Sequence, residues 1–236
     1  MSHEANVHQI QTHILRELLF VPHASFSDLQ KPTKLDGDHF KFHVQRLVDI
    51  GYIEKIDRGQ YKLTTSGKEY ANKLDTDQNT IERQPKSAVI LVIEKTINGE
   101  KKLLVQERLK HPYYGFYGFP TGKIRWGETI VQAGQRELME ETNLQADLVY
   151  RGVYHEHVVS TETNEIIEDK IFHVLHSNKP TGDMAIEFEG GRNEWLTQAE
   201  IDKLDKKYDS FEMELQVGLG KHSFVEQTQH YTKNQF

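Results

Sequence analysis

Apolar residues in the first third of the chain recur with the spacing of amphipathic helices. Ile10, Ile14 and Leu18 lie four positions apart, which predicts a helix with one buried face. Ser25 and Asp36 are residue types that commonly cap the start of a helix. Together with a stretch of alternating residues, these patterns predict three helices at residues 7–19, 25–32 and 36–50, a hairpin at 52–63 and a last short helix at 64–74.

The rest of the chain mixes strand and helix patterns. A continuous apolar run at residues 88–93 predicts a buried strand, and Asn98 with Gly99 forms the favoured two-residue turn of a hairpin that returns over 103–108. Further strands are predicted at 148–158 and 170–176, and helices at 198–204 and 211–219. Strands and helices at separate places indicate an α+β fold or a layered α/β/α domain.

A polar segment separates the two regions. Residues 76–86 contain a single strongly apolar side chain and a proline near their end, a composition typical of a linker. We therefore predict a first domain at 1–75, a linker at 76–86 and a second domain at 87–236. Acidic and basic residues balance in residues 1–75, so the net charge of −7 lies in the remainder. This excess either solvates the surface or gathers carboxylates for a cation, and composition leaves both open.

The composition excludes several kinds of chemistry. The chain has no cysteine, which excludes disulfides, thiolate zinc sites, iron–sulfur ligation and cysteine nucleophiles. No apolar run approaches the roughly 18 residues of a membrane-spanning helix. The first residues also lack the apolar core of a signal peptide. We therefore expect a cytoplasmic protein without a membrane partner.

The predicted elements of residues 1–75 resemble the winged helix-turn-helix family. The resemblance is carried by residues 44–71, VQRLVDIGYIEKIDRGQYKLTTSGKEYA, which match its third helix, wing and following helix. In that family the third helix enters the major groove of DNA and the wing contacts the backbone. The resemblance implies DNA contacts from Lys41, His43, Gln45, Arg46 and Arg58. Acidic residues flank this surface, and winged helices also dimerise or dock proteins, so these interpretations stay open.

One predicted helix of the second region gathers carboxylates. Residues 129–142 place an apolar stripe next to an acidic face; the stripe is Val131, Gly134 and Leu138, and the face is Glu137, Glu140 and Glu141. Like charges three or four positions apart destabilise a bare helix by about 0.2–0.5 kcal/mol per pair. No Lys or Arg follows these glutamates at that spacing. The cluster is either a solvated acidic face or a site for a hard divalent cation such as Mg²⁺.

The complete spacing around this helix resembles the signature of the Nudix hydrolase family. That signature, Gly-x5-Glu-x7-Arg-Glu-apolar-x-Glu-Glu-x-Gly-apolar, is matched by Gly122, Glu128, Arg136, Glu137, Leu138, Glu140, Glu141 and Leu144. Asn143 stands at the final glycine, and Thr121 interrupts the common Pro-Gly-Gly before the signature. Because asparagine is the next-best residue for a left-handed helix cap, we expect the end of the helix to keep its geometry.

The two resemblances together imply a fold, and the Nudix resemblance implies an activity and a cofactor. The fold is α+β, a winged helix-turn-helix followed by a Nudix-type α/β/α sandwich with a mixed sheet. The activity is Mg²⁺- or Mn²⁺-dependent cleavage of the pyrophosphate linkage of a nucleoside diphosphate derivative, of the nucleotide-sugar, ADP-ribose or nucleoside triphosphate class. The implied metal ligands are Glu137, Glu140, Glu141, the Gly122 carbonyl and a loop glutamate, Glu189 or else Glu187. Arg136 would orient the glutamates and Glu128 would support the loop, while the identity of the catalytic base stays open.

Other residues near the signature are candidates for binding the substrate. Three basic side chains either contact the substrate phosphates or are ordinary surface charges: Arg108, Lys123 and Arg125. A nucleobase platform or the covering of a sheet edge is expected from Tyr113, Tyr114, Phe116 and Tyr117. His155 and His157 would share a strand face, but with thirteen histidines in the chain we interpret this spacing as chance rather than a metal site.

Two functions are compatible with these patterns. The first is a pyrophosphohydrolase whose first domain serves regulation, dimerisation or DNA targeting. The second is a transcriptional regulator that senses a nucleotide with a Nudix-like domain and binds DNA with the winged helix. The complete carboxylate set favours the first, because a sensor needs no activated water. We expect a nucleotide-type small-molecule substrate, DNA as a candidate partner and a homodimer.

Overall fold

A computed structural model of the chain describes residues 7–75 and 80–236, apart from the side chains of Arg58 and Thr80. Contacts divide the chain into two compact units, Met1–Arg83 and Gln84–Phe236. The DNA contact predicted for the Arg58 side chain therefore lies outside the described residues, as does part of the predicted linker. Within the described ranges, no helix is both long and apolar enough to cross a bilayer.

The first unit packs helices against a small antiparallel sheet. Its elements are α1 (Gln9–Leu19), β1 (Ala24–Ser25), α2 (Phe26–Gln30), α3 (Gly37–Asp49), β2 (Ile53–Ile56), β3 (Gln60–Leu63) and α4 (Thr65–Ala71), with the strands in the order β1-β3-β2. Asp36 caps α3 by accepting hydrogen bonds from the backbone of the helix's first turn. Ile14, Phe40 and Leu47 are fully buried between these elements. The predicted helices and hairpin are confirmed, while the winged-helix assignment stays a prediction.

The segment predicted as a linker is partly strand. β4 (Leu74–Asp75) pairs in antiparallel fashion with β5 (Thr80–Ile81). The next strand, β6 (Lys86–Ile97), begins before the predicted start of the second domain. Thr80 and Ile81 are β-branched, a residue type that favours extended backbone, and the polar composition of the segment concealed this signal.

The second unit is built on a mixed sheet. After β6 follow β7 (Glu100–Arg108), β8 (Tyr117–Gly118), β9 (Thr121–Lys123), α5 (Ile130–Thr142), β10 (Val149–Ser160), β11 (Ile166–Ser177), β12 (Glu187–Phe188), β13 (Gly191–Leu196), α6 (Gln198–Ile201), α7 (Phe211–Gly218) and β14 (Phe224–Tyr231). The strand order is β12-β13-β7-β6-β11-β10-β14, with β8 on β7 and β9 on β6. The pairs β6/β11 and β10/β14 are parallel, and the other pairs are antiparallel.

Helices cover both faces of this sheet. Alternate residues of β6 point to opposite sides, so Leu91 packs with Leu138 of α5 and Ile90 packs with Phe211 and Leu215 of α7. The predicted α/β/α arrangement with a mixed sheet is confirmed for this unit. Val131, which we placed in the buried stripe of α5, is instead exposed, because it lies in the first turn beside an exposed loop.

Candidate functional site

The helix α5 has a defined cap at each end. At its start, Thr129 and Gln132 form a capping box, each side chain accepting a hydrogen bond from the other residue's backbone N–H. At its end, Asn143 adopts the left-handed conformation with φ 58°, and its side chain donates to the Asp183 carbonyl over 3.1 Å. The expectation that asparagine would replace the signature glycine without changing the helix end is confirmed.

Arg136 joins three carboxylates at the surface of α5. Its Nε and Nη2 atoms donate to the two oxygens of Glu128 over 2.5 and 2.8 Å. Its Nη1 donates to Glu137 over 2.6 Å and to Glu140 over 3.1 Å. Nη2 also donates to the backbone carbonyl of Lys123 over 2.9 Å. One guanidinium therefore fixes the glutamates relative to the loop that precedes the helix.

The acidic face has basic partners, although no Lys or Arg follows the glutamates at helical spacing. Arg136 precedes Glu140 by four positions, and Arg125 reaches both Glu140 oxygens from the loop over 3.1 and 3.3 Å. Arg136 lies on the preceding turn, and the family resemblance had already implied that it orients the glutamates. Arg125 had no signal in the sequence, because the loop brings it back to Glu140.

Glu128 anchors the loop before α5. Besides the contact with Arg136, its carboxylate accepts a hydrogen bond from the backbone N–H of Arg125 over 2.9 Å. The hydrogen bond from Arg136, followed by that from Arg125, lowers the pKa of Glu128 to about 2. Between these anchored positions the side chain of Trp126 is fully exposed to solvent.

Gly122 allows the backbone of β9 to approach the acidic face closely. A Cβ atom at this position would lie 1.9–2.2 Å from the side chain of Glu137. Any other residue would therefore displace the Glu137 carboxyl group or the strand itself. The sequence placed Gly122 at the first position of the family signature. The close contact with Glu137 gives a physical reason for a glycine at this position.

Glu141 makes no hydrogen bond with Arg125 or Arg136 and lies instead in a polar group that the sequence did not reveal. Gln106 on β7 donates from Nε2 to Glu141 over 3.1 Å and to Asn193 over 3.0 Å. Asn193 on β13, which is buried, donates to the backbone carbonyls of Glu141 and Ala185, each over 2.8 Å. Burial raises the pKa of Glu141 to about 7, although the hydrogen bond from Gln106 opposes this shift.

One sequence signal pointed to part of this group. Gln106 follows three apolar residues in a predicted buried strand, and a polar residue there needs a partner. Asn193 stands among polar residues and carried no comparable signal. Neither residue was predicted, because their contact with α5 joins positions far apart in the chain.

The other predicted ligands and substrate contacts are more scattered. Arg108 donates to the backbone carbonyls of Pro112 and His111, so its guanidinium is used within its own loop. The Lys123 side chain is exposed beside the site. Glu187 and Glu189 are exposed, and among the described residues Glu189 makes no side-chain hydrogen bond or ion pair.

The aromatic cluster is mostly interior. Tyr113 and Phe116 are buried and pack with Tyr208 and Tyr231, so they are unsuited to stacking on a ligand. Tyr117 is half-buried, Tyr114 is exposed, and Tyr113 donates its hydroxyl to Glu168 over 2.9 Å. The interpretation that these aromatics cover the sheet is the better one for Tyr113 and Phe116.

The arrangement combines acidic oxygens with cationic side chains on one surface. Such a surface can hold a hard divalent cation through oxygen atoms and an anionic phosphate through arginine and lysine. Residues 84–215 match the family model of the NUDIX domain, which spans more than half of the chain. This chain therefore belongs to the Nudix hydrolase family, whose members generally use divalent metal ions.

Individual relatives agree with this assignment. The ADP-ribose pyrophosphatase of Methanocaldococcus jannaschii is 33% identical over 88 residues, which are 36% of this chain and 50% of that protein. The chain thus matches about half the length of this relative. The structure of the NUDIX domain of Shewanella oneidensis NrtR in complex with ADP ribose has a TM-score of 0.51 at 17% identity, covering 65% of this chain and 96% of the other. At that identity the likeness shows the fold alone.

Proposed function

We propose that this chain is a Mg²⁺-dependent pyrophosphohydrolase that cleaves the diphosphate of a nucleoside diphosphate derivative, with ADP-ribose as the first substrate to test. The observation that supports it best is the placement of Glu137 and Glu140 on one arginine, with Glu141 in a separate polar group on the same helix. The archaeal relative's name and the ligand of the Shewanella domain support the choice of ADP-ribose.

The donor chemistry of the site fits a hard divalent cation. Carboxylate and carbonyl oxygens are the ligands that Mg²⁺ prefers. Burial raises the pKa of Glu141 to about 7, and a cation bound beside this carboxylate would favour its ionised form. Glu137, Glu140, Glu141 and the Gly122 carbonyl would hold the ion, with Glu189 as a further ligand from its loop. When bound, Mg²⁺ polarises phosphoryl oxygens and lowers the pKa of water.

The chain's own residues would orient this chemistry. Arg136 holds Glu137 and Glu140 in place through its ion pairs, and Glu128 in turn holds Arg136. The exposed side chains of Lys123 and Arg125 are available to bind the substrate phosphates, Arg125 by exchanging its contact with Glu140. Arg108 and Tyr117 remain candidates for substrate contacts from β7 and β8.

The first test is hydrolysis by the purified 236-residue chain with Mg²⁺. We expect AMP and ribose 5-phosphate from ADP-ribose, and a loss of kcat of about 100-fold or more in Glu141→Gln, because a carboxylate that binds metal or water is removed. Release of the products is followed by chromatography. Circular dichroism and the thermal midpoint establish that the variant is folded.

A matched variant separates a site effect from a general effect. Glu165→Gln makes the same chemical change at an exposed position outside the signature, and its activity should equal that of wild type. The proposal is wrong if wild type with Mg²⁺ fails on ADP-ribose, nucleotide sugars, dinucleoside polyphosphates and nucleoside triphosphates alike. It is also wrong if Glu141→Gln retains full activity.

A second candidate function concerns the first unit, for which we propose a winged helix-turn-helix domain at residues 1–75 that binds DNA. Its support is the exposure of Lys41, Gln45 and Arg46 on α3, although Gln45 is bonded to Asp49 over 2.8 Å. Exposed cations on one helix can contact phosphates. Selection of bound sequences from a random DNA library, repeated with Arg46→Ala, tests the proposed DNA binding. Gel filtration tests whether the chain forms the expected homodimer.

A further inference from the structure

Three metal-binding side chains converge on a face of the sheet outside the Nudix signature. His155 and His157 lie two residues apart on β10, and Asp169 lies directly opposite His157 on the antiparallel strand β11. Alternation along β10 places both histidines on the same face, whereas Tyr154, Glu156 and Val158 between and beside them are buried on the other. Paired strands hold these positions fixed relative to one another.

The distances within this cluster suit a single ion. One ligand atom from each of His155, His157 and Asp169 can be chosen so that all three lie within 4.8 Å of one another. Asp169 is 2.9 Å from Nε2 of His155 and 3.6 Å from Nε2 of His157. Ligand atoms about 2.1 Å from a tetrahedral zinc lie roughly 3.4 Å apart, so small side-chain rotations would admit the ion. The three side chains are 18%, 29% and 37% exposed, so solvent reaches them.

Glu226 supplies the supporting contact that histidine ligands commonly have. It lies beside His155 on the parallel strand β14, and its carboxylate is 2.8 Å from Nδ1 of His155. A histidine that binds metal through one ring nitrogen usually donates its other N–H to a carboxylate or carbonyl, which fixes the tautomer and the ring orientation. Glu226 would thus leave Nε2 of His155 as the ligand atom, facing His157 and Asp169.

From this geometry we propose a second metal site, in which His155 Nε2, His157 Nε2 and the Asp169 carboxylate bind a first-row transition cation of the Zn²⁺ type, with Glu226 as the orienting partner of His155. Two imidazoles and one carboxylate suit Zn²⁺, whereas Mg²⁺ prefers oxygen ligands only. Three protein ligands leave a fourth position open to water or another small ligand. The ion would join β10 to β11, and through Glu226 the site would include β14.

Without an ion, the same residues form a different arrangement. Both ring nitrogens of His155 then face carboxylates, Nε2 at 2.9 Å from Asp169 and Nδ1 at 2.8 Å from Glu226, and since an ionised carboxylate only accepts, both nitrogens donate. Binding of the cation would then release the Nε2 proton to solvent while the Nδ1 proton stays with Glu226. The two arrangements differ in the state of one nitrogen, which ¹⁵N NMR of the imidazoles distinguishes.

The experiment is a calorimetric titration of the 236-residue chain with Zn²⁺ in the presence of excess Mg²⁺. Excess Mg²⁺ competes at the oxygen ligands of α5 and leaves the histidine site open. We expect one Zn²⁺ per chain, at least about tenfold weaker binding in both His157→Gln and Glu226→Gln, and loss of the N–H proton from Nε2 of His155 in the ¹⁵N NMR spectrum. Asp169→Asn gives a second ligand variant in case His157→Gln fails to fold.

His173→Gln is the matched control. His173 is a half-buried histidine of the neighbouring strand β11 that lies 3.3 Å from the Tyr150 hydroxyl and outside the cluster, so its replacement should leave Zn²⁺ binding unchanged. The proposal is overturned if wild type binds no Zn²⁺ in excess Mg²⁺, or if the folded His157 and Asp169 variants bind it as tightly as wild type. Neither result depends on whether the chain hydrolyses ADP-ribose.

Discussion

Glutamates on one helix face experience different surroundings here. Glu137 and Glu140 share the guanidinium of Arg136, whereas Glu141 contacts the amide of Gln106 and is partly removed from water. The amide of Gln106 also contacts buried Asn193, so its orientation is fixed from both sides. Gln106 is therefore a positioning residue for Glu141 under the proposed function, since it donates to that carboxylate without belonging to the signature.

The role of Gln106 predicts a specific kinetic effect. Gln106→Met keeps the length of the side chain but removes the donor, so Glu141 loses its fixed orientation. We expect kcat or the apparent Mg²⁺ affinity to fall about 10- to 100-fold, the range typical of partners of metal ligands, with KM for the nucleotide changed less. Steady-state rates at varied Mg²⁺ measure both quantities. Gln135→Met, at an exposed position of α5, is the control, and equal rates in the two variants would contradict the role of Gln106.

The sequence predicted site residues that lie close together in the chain better than contacts between distant positions. The signature spacing brought Gly122, Glu128 and Arg136 into one group because those residues are joined by one loop and one helix. Gln106 and Asn193 were missed because they reach α5 from separate strands, 87 positions apart. Aromatic identity alone did not reveal that Tyr113 is interior, since that depends on which side of the sheet the chain returns to.

At the scale of elements, α5 depends on how its end is closed. Asn143 has φ 58°, a conformation that glycine adopts freely and most other residues adopt at a cost of roughly 1–2 kcal/mol. Its side chain also donates to the Asp183 carbonyl, which ties the end of α5 to a later loop. Asparagine here thus combines tolerance of the left-handed conformation with a contact that glycine lacks.

This helix end predicts an ordering of stabilities. Asn143→Ala should lower the free energy of unfolding by about 1–2 kcal/mol, because alanine is strained in this conformation and loses the contact with Asp183. Asn143→Gly should change it by less, since the backbone is relaxed and only the side-chain contact is lost. Urea denaturation of both variants measures the difference. An alanine variant as stable as the glycine variant would contradict this account of the helix end.

Elements with strong local signals were predicted well, and pairings were not. Asn98 and Gly99 both adopt positive φ and form the expected tight turn of the hairpin. The short strands β8, β9 and β12 and the parallel pairing of β14 with β10 were not predicted. Two- or three-residue strands carry no periodicity, and a parallel pairing between distant segments is set by the packing of the whole sheet.

At the scale of the whole molecule, the second unit buries carboxyl groups away from the signature. Glu214 on α7 and Glu156 on β10 are both buried, and burial raises their pKa values to about 8 and about 7. The charge of Glu156 adds to the shift of Glu214, and the charge of Glu168 adds to that of Glu156. Both pKa values are ordinarily near 4.5. The folded chain therefore holds protons that the unfolded chain releases over this interval.

This difference predicts a loss of stability as the pH rises. The stabilising effect of the neutral carboxyls is fully present below pH 4.5 and is lost as the pH rises through about 8. Glu214→Gln keeps the neutral hydrogen-bonding shape, so its thermal midpoint should fall less than that of wild type over this interval. Glu212→Gln, at an exposed position of the same helix, should follow wild type. If the thermal midpoints of Glu214→Gln and wild type fall equally with pH, burial of a neutral Glu214 carboxyl does not cause the loss of stability.

The exposure of Trp126 has a practical consequence. The chain contains two tryptophans. Trp195 is half-buried, with Lys95 over its ring. The side chain of Trp126 is fully exposed and lies between Arg125, which contacts Glu140, and Glu128, which contacts Arg136. Fluorescence quenching by acrylamide will therefore report chiefly on Trp126. The protein thus carries its own optical sensor at the rim of the proposed active site, where ligand affinities can be read without a label.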